Sequence, residues 1–165
     1  MTPDTQRIAL PRSGKARLTT LAVALALAAA FAPAALAGGA SVTRGDFDAF
    51  ATGVGQALTG HAQMIRTADG KTIVTVHVEG LAPNTTYGSH VHQQACSDGF
   101  AGTHYRFDPA GAAAPPNEIW PGPITTNADG VGNGNTIAVG RAGSAAVSVV
   151  VHAPGGAKIA CADLG

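Results

Sequence analysis

The sequence predicts an all-β domain, a sandwich or barrel of short antiparallel strands. Three observations carry this. Apolar and polar residues alternate with a period of two, most cleanly over Lys71–Glu79 and Ala145–His152. Turn-forming groups such as Ala68-Asp69-Gly70, Gly80-Leu81-Ala82-Pro83-Asn84 and Ala128-Asp129-Gly130 separate these stretches. No segment shows a convincing amphipathic helical period.

Residues 1–37 read as a secretory signal peptide. Arg7, Arg12, Lys15 and Arg17 form a basic start, an apolar stretch runs from Leu21 to Phe31, and Ala35-Leu36-Ala37 supplies a small-residue cleavage pattern. The apolar run is short for a bilayer, so no stable membrane span is expected after cleavage. No arginine pair precedes it and no cysteine sits at the cut, which points to general export without a lipid anchor. The product would be secreted or held in the periplasm or cell envelope. Residues 38–165 then form one domain, long enough for a proper core. That domain has six Lys and Arg against nine Asp and Glu, a mildly acidic balance that gives no footing for nucleic acid. No segment declares an oligomeric interface.

Within the domain, residues 38–43 read as a Gly/Ala-rich lead-in, and Asp46 to Ala51 as at most one helical turn. Gln56–Ile65 is a strand. It joins Lys71–Glu79 through Ala68-Asp69-Gly70 as a hairpin, with Val74, Val76 and Val78 on one face and Thr75, His77 and Glu79 on the other. Thr86–Gln93 is the next strand. Cys96 to Gly122 is rich in Gly, Ala and Pro and lacks periodicity, which predicts a long functional surface loop. Ile124–Thr126 and a weak strand ending at Val139 read as a second hairpin. Ala145–His152 is a strong strand with Val147, Val149 and Val151 inward, and Lys158–Leu164 closes the fold. Cys96 and Cys161 are the only cysteines, and export makes a disulfide between them the default expectation.

Four histidines are candidate metal ligands: His90 and His92 in one strand, His104 in the long loop, and His152 at the end of a valine-rich strand. Strand parity sends His90 and His92 to one face, with Val91 in the core between them. The same parity groups His152 with Ser148 and Val150 on the outward face, where the loop would bring His104. Four neutral imidazoles suit tetragonal Cu(II) and tolerate Cu(I), whereas a catalytic zinc usually keeps an open position and often a carboxylate. His61 and His77 read as isolated surface residues.

Several segments fall in a recognisable order: Gly80-Leu81-Ala82-Pro83, His90-Val91-His92, Cys96, Gly102-Thr103-His104-Tyr105 with Asp108-Pro109, Val149-Val150-Val151-His152, and Lys158-Ile159-Ala160-Cys161. In this the chain resembles the copper/zinc superoxide dismutase family, in a bacterial secreted form. The resemblance implies an eight-stranded Greek-key β-barrel, one copper held by His90, His92, His104 and His152, and a Cys96–Cys161 disulfide. In that family the histidine matching His104 bridges to zinc, and further histidines and an aspartate complete the zinc site. Here no histidine lies between Tyr105 and Val151, and Asp108, Glu118 and Asp129 are the only acids there. Zinc is therefore expected to be absent, with His104 an ordinary copper ligand.

The long charged loop that steers the anion in the family is also missing, because only residues 153–160 separate His152 from Cys161. Lys158 takes the offset of the family's anion-guiding arginine, keeping the charge but losing the planar fork. Glu118 is the candidate to hold the ring of His104 through its second nitrogen. The resemblance implies a copper-only dismutase converting superoxide to dioxygen and hydrogen peroxide, with His104 as a possible proton donor. The alternative is a non-catalytic copper-binding or copper-buffering protein on the same fold.

Overall fold

Alternation in the sequence becomes alternation in burial along Lys71–Glu79, which forms one strand over its whole predicted span with Thr72, Val74, Val76 and Val78 buried. This computed structural model describes residues 39–53 and 57–165; the signal segment read at 1–37, and Gln56 at the start of one predicted strand, lie outside them. Among the described residues there are nine strands: β1 Ser41–Asp46, β2 Asp48–Ala49, β3 Thr59–Arg66, β4 Lys71–Glu79, β5 Thr86–His92, β6 Ile124–Thr125, β7 Gly132–Val139, β8 Ser148–His152 and β9 Lys158–Asp163. No helix among these residues is long and apolar enough to cross a membrane.

All pairings are antiparallel and fall into two sheets, with strand orders β1-β3-β4-β7 and β2-β9-β8-β5-β6. Their inner faces supply one core. Met64, Val74, Val76 and Val78 come from the first sheet, and Val91, Val149, Val151, Ile159 and Ala162 from the second. The all-β expectation holds, as an open sandwich and not a closed barrel: the two sheets share no hydrogen-bonded strand pair.

Three local expectations need correction. The predicted hairpin over residues 124–139 does not form. Turn chemistry is present, since Asn127 Oδ1 accepts from the backbone of Asp129 and Val131, and Gly130 takes a φ of +76°. The chain changes sheets at this turn, so β6 pairs with β5 while β7 pairs with β4. The end of the predicted lead-in, residues 41–43, instead opens β1 (Ser41–Asp46), an edge strand paired along its length with β3. Neither face of β1 is deeply buried, so it has no apolar period to reveal it. Asp46 to Ala51 is not a helical turn: β2 occupies part of it, and a short 3-10 turn follows at Ala51–Gly53.

The loop between β5 and β6 has no strand of its own. Tyr105 N donates to Val91 O and Val91 N to Ile119 O, so main-chain bonds lay the loop along β5. The Cys96–Cys161 disulfide ties it to β9, and Ala101, Val150 and Cys161 form a small buried cluster beneath it.

Candidate metal centre

Strand geometry brings three histidines onto the outer face of the second sheet. His90 and His92 are alternate residues of β5, and His152 of β8 lies directly across from Gly88. Lacking a side chain, Gly88 lets the two histidines close over it: a Cβ there would lie in contact with the Cβ of His152 at 3.5 Å and with the His90 ring at 3.6 Å. Val150, on the same side, is fully buried under the loop, as parity predicts. His104 arrives from the loop through an isolated bridge to His92. One ligating atom from each of the four rings lies within 4.8 Å of all the others.

The orientation of each ring follows from its second nitrogen. His92 Nδ1 faces Ala101 O at 3.3 Å, and His152 Nδ1 faces Gly156 O at 3.0 Å. A carbonyl only accepts, so both rings carry their proton on Nδ1 and present a bare Nε2. Those two Nε2 atoms stand 3.3 Å apart. Two lone pairs facing each other repel, and a shared cation turns that repulsion into coordination. His104 Nδ1 donates to Glu118 Oε2 at 2.7 Å, leaving its Nε2 for the cluster. His90 Nδ1 is buried without a hydrogen-bond partner, a costly arrangement unless an ion takes its lone pair. The donor set therefore fits a nitrogen-liganded metal ion, held by His90 through Nδ1 and by the other three through Nε2. A second group of potential ligands, Cys96, Cys161 and Asp163, is not comparable, because its sulfurs are bonded to each other.

Glu118 is buried and holds more than His104. Its Oε2 also accepts from Trp120 Nε1 at 2.8 Å, and Arg106 Nε stands 4.0 Å from Oε1. Two donors and a nearby cation offset the burial of its charge. Trp120 belongs to the site: its ring lies 4.9 Å from that of His90. Tyr105 instead points into the core.

A strained turn supplies further contacts. Gly99, Phe100, Ala101 and Gly102 all have φ between +53° and +62°. For the two non-glycine residues this conformation costs about 1–2 kcal/mol each. The carbonyls of Phe100 and Gly102 accept from Lys158 Nζ, while that of Ala101 orients His92. Lys158 thus pins the turn and also lines a cavity of about 320 Å³, together with Arg106, His92 and His104. No pattern marked the carbonyls of Ala101 and Gly156 in the sequence, since any residue type supplies one; only the glycines flanking them hinted at special backbone.

Burial, then the neighbouring His104 and His152, hold His90 down to about 3. Burial, followed by His104, Lys158 and His152, does the same to His92, also to about 3. Burial lowers His152 as well. All three are ready as neutral ligands at neutral pH. In the unfolded chain such rings protonate near 6.5, so between that pH and about 3 the unfolded state binds more protons. Stability of the metal-free protein is therefore expected to fall as pH drops through this window. Thermal melts at pH 7.5 and 4.5 check it. A His90→Gln variant with the same pH slope as the wild type would contradict this assignment.

Fold and site together define a β-sandwich protein with a four-imidazole cluster able to hold a metal ion. Compared with protein-family models and with curated proteins, the chain matches none.

Proposed function

We propose that this chain is an exported copper protein of the copper/zinc superoxide dismutase family, of the zinc-lacking kind, and that it disproportionates superoxide. The single observation that carries the reading is the four-nitrogen set itself: an unpartnered His90 Nδ1 together with three Nε2 atoms whose rings are fixed from behind. An all-imidazole set suits copper in both oxidation states better than it suits a hard cation. The absence of zinc is supported by His104, whose Nδ1 is committed to Glu118 and so is not free to bridge to a second ion.

Bound copper would supply a one-electron redox couple between Cu(II) and Cu(I). The remaining tasks fall to the chain. Glu118 and Trp120 keep the His104 ring in place. Arg106 and Lys158 line the cavity with positive charge, which draws a small anion toward His92 and His104 in the absence of a charged steering loop. His104, with about a third of its side chain exposed, is the ring able to exchange a proton with solvent at Nε2. Two superoxide anions and two protons leave as dioxygen and hydrogen peroxide.

The test is superoxide decay followed by stopped flow on copper-loaded protein. Rapid decay is expected. Lys158→Met should slow it about tenfold at low ionic strength and less at high salt, while Lys158→Arg restores it. A rate no better than free aqueous copper, alongside tight binding, would defeat dismutation and leave a copper-buffering protein on the same scaffold.

A further inference from the structure

Among the described residues the two sheets end in four edge strands, β1, β7, β2 and β6, and three of these are guarded. β2 and β6 are two residues long. β1 carries Arg44 and Asp46, and the main-chain N–H of Arg44 donates to Gly165 O. Short length, charge and cover all protect a sheet edge. β7 has none of them. It runs for eight residues, Gly132–Val139, without a charge or a proline.

Hydrogen-bond phase shows what this edge offers. Thr67 N donates to Lys71 O, so Lys71 directs its main-chain groups toward β3. Successive residues of a strand direct these groups to opposite neighbours. The register of β4 with β7 has no shift, so Thr72, Val74, Val76 and Val78 bond to Ala138, Thr136, Gly134 and Gly132. The N–H and C=O groups of Asn133, Asn135, Ile137 and Val139 therefore point away from β4. Among the described residues, no main-chain group outside the sheet bonds to them.

The side chains add an apolar row. Register aligns Val42, Ile65, Ile73 and Ile137 across all four strands. They lie on the face turned from the core, since the alternating residues Met64, Val74 and Ala138 are buried. Ile137 and Val139 are 65% and 83% exposed. Rows farther along are polar. In one of them His61 and His77 are cross-strand neighbours, and not the isolated surface residues that their sequence predicts. Their ring centroids lie 5.6 Å apart, and Asn133 Oδ1 and Glu79 Oε1 flank the two nitrogens of His77. The complement to the β7 edge is thus an uncharged strand with an aliphatic residue opposite Ile137, and β7 itself meets that description.

We propose that β7 pairs with β7 of a second copy, antiparallel about a two-fold axis, joining two four-stranded sheets into one. Opposite residues must share a face, so odd positions meet odd positions. An axis at Ile137 sets that residue against its own counterpart, and Asn135 against Val139. All three direct main-chain groups to the edge, and each pair exchanges two hydrogen bonds. The apolar row then runs unbroken from Val42 of one copy to Val42 of the other. β7 brings no like charges together, because it has none. The paired stretch is about 17 Å long at about 3.4 Å per residue. That is a small contact, so dimer and monomer exchange with a Kd of about 10–100 µM. The pairing needs no metal and is independent of the four-histidine cluster.

Sedimentation velocity of the metal-free full chain, from about 1 µM to about 500 µM, brackets that range and tests the pairing. Wild type is expected to pass from monomer to dimer. Ile137→Lys, which sets two ammonium groups against each other at the axis, should stay monomeric throughout. Asn135→Pro removes an N–H that points to the free edge and leaves the ladder with β4 intact, so dimerisation should weaken about tenfold. A wild type that is monomeric at every concentration overturns the proposal, as does a dimer unaffected by Ile137→Lys. So does a dimer that survives Asn135→Pro at full strength, because the aliphatic face and not the edge would then make the contact. Should Asn135→Pro lose its fold by circular dichroism, amide hydrogen exchange of the wild type takes its place. Asn135, Ile137 and Val139 should be protected at high concentration and exchange freely at low; equal exchange at both overturns the pairing.

Discussion

His92→Ala is expected to abolish metal-induced stabilisation. His92 is the most enclosed of the four rings, with no exposed surface, and it faces both His152 Nε2 and the carbonyl of Ala101. Its removal takes one ligand and also unseats the strained turn whose carbonyls receive Lys158. For the wild type, copper at about a hundredfold excess over its Kd adds about 2.7 kcal/mol, equivalent to a rise in melting temperature of roughly 10 °C for a domain of this size. In His92→Ala that increment should vanish. The metal-free variant should itself be weaker by roughly 2–4 kcal/mol, because a fully buried ring leaves a cavity and an unpaired carbonyl. Differential scanning calorimetry with and without copper separates the two effects. A variant that still gains several degrees on copper addition would show that the remaining three rings suffice.

The fold was legible where one side of a strand is buried. Val74, Val76 and Val78 alternate with polar residues, and the strand follows them from end to end. It was illegible where burial is shallow, as in β1, whose strand character comes from pairing with β3 and not from its own composition. The turn at residues 127–130 could be read, but its destination could not. Asn127 and Gly130 specify a reversal locally, whereas passage from one sheet to the other depends on long-range pairing, of β6 with β5 and of β7 with β4. At the candidate site, parity alone grouped His90, His92 and His152, because a two-residue period fixes direction wherever the opposite face is core. The Glu118 contact was also accessible, as a carboxylate near a ligating ring. The pairing of His61 with His77 was not, since it depends on register between two strands and on Asn133 from a third.

Removal of the Cys96–Cys161 disulfide should cost about 4 kcal/mol, the largest change in stability expected from any single covalent edit. The bond closes a loop with a sequence separation of 65 residues, and the chain-entropy cost of opening it scales with the logarithm of that length. The loop so closed contains β6, β7 and β8 together with His104 and Glu118, so loosening it also acts on the metal centre. Other ties remain after the bond is lost. Lys158 holds the turn at Phe100 and Gly102, Cys96 N donates to Asp163 Oδ1, and Ser148 Oγ donates to Gln94 O. These are polar contacts worth roughly 1 kcal/mol each, several of them exposed, and so do not replace a constraint on the unfolded chain. A Cys96→Ala/Cys161→Ala double variant is therefore expected to lower the urea midpoint substantially while its circular dichroism stays that of a β-sandwich. Metal affinity should fall with it, since Ala101, which orients His92, sits in the small cluster built on Cys161 and Val150. A loss below about 1 kcal/mol with unchanged metal affinity would mean that the polar ties and the left-handed turn, and not the covalent link, hold the loop over the histidines.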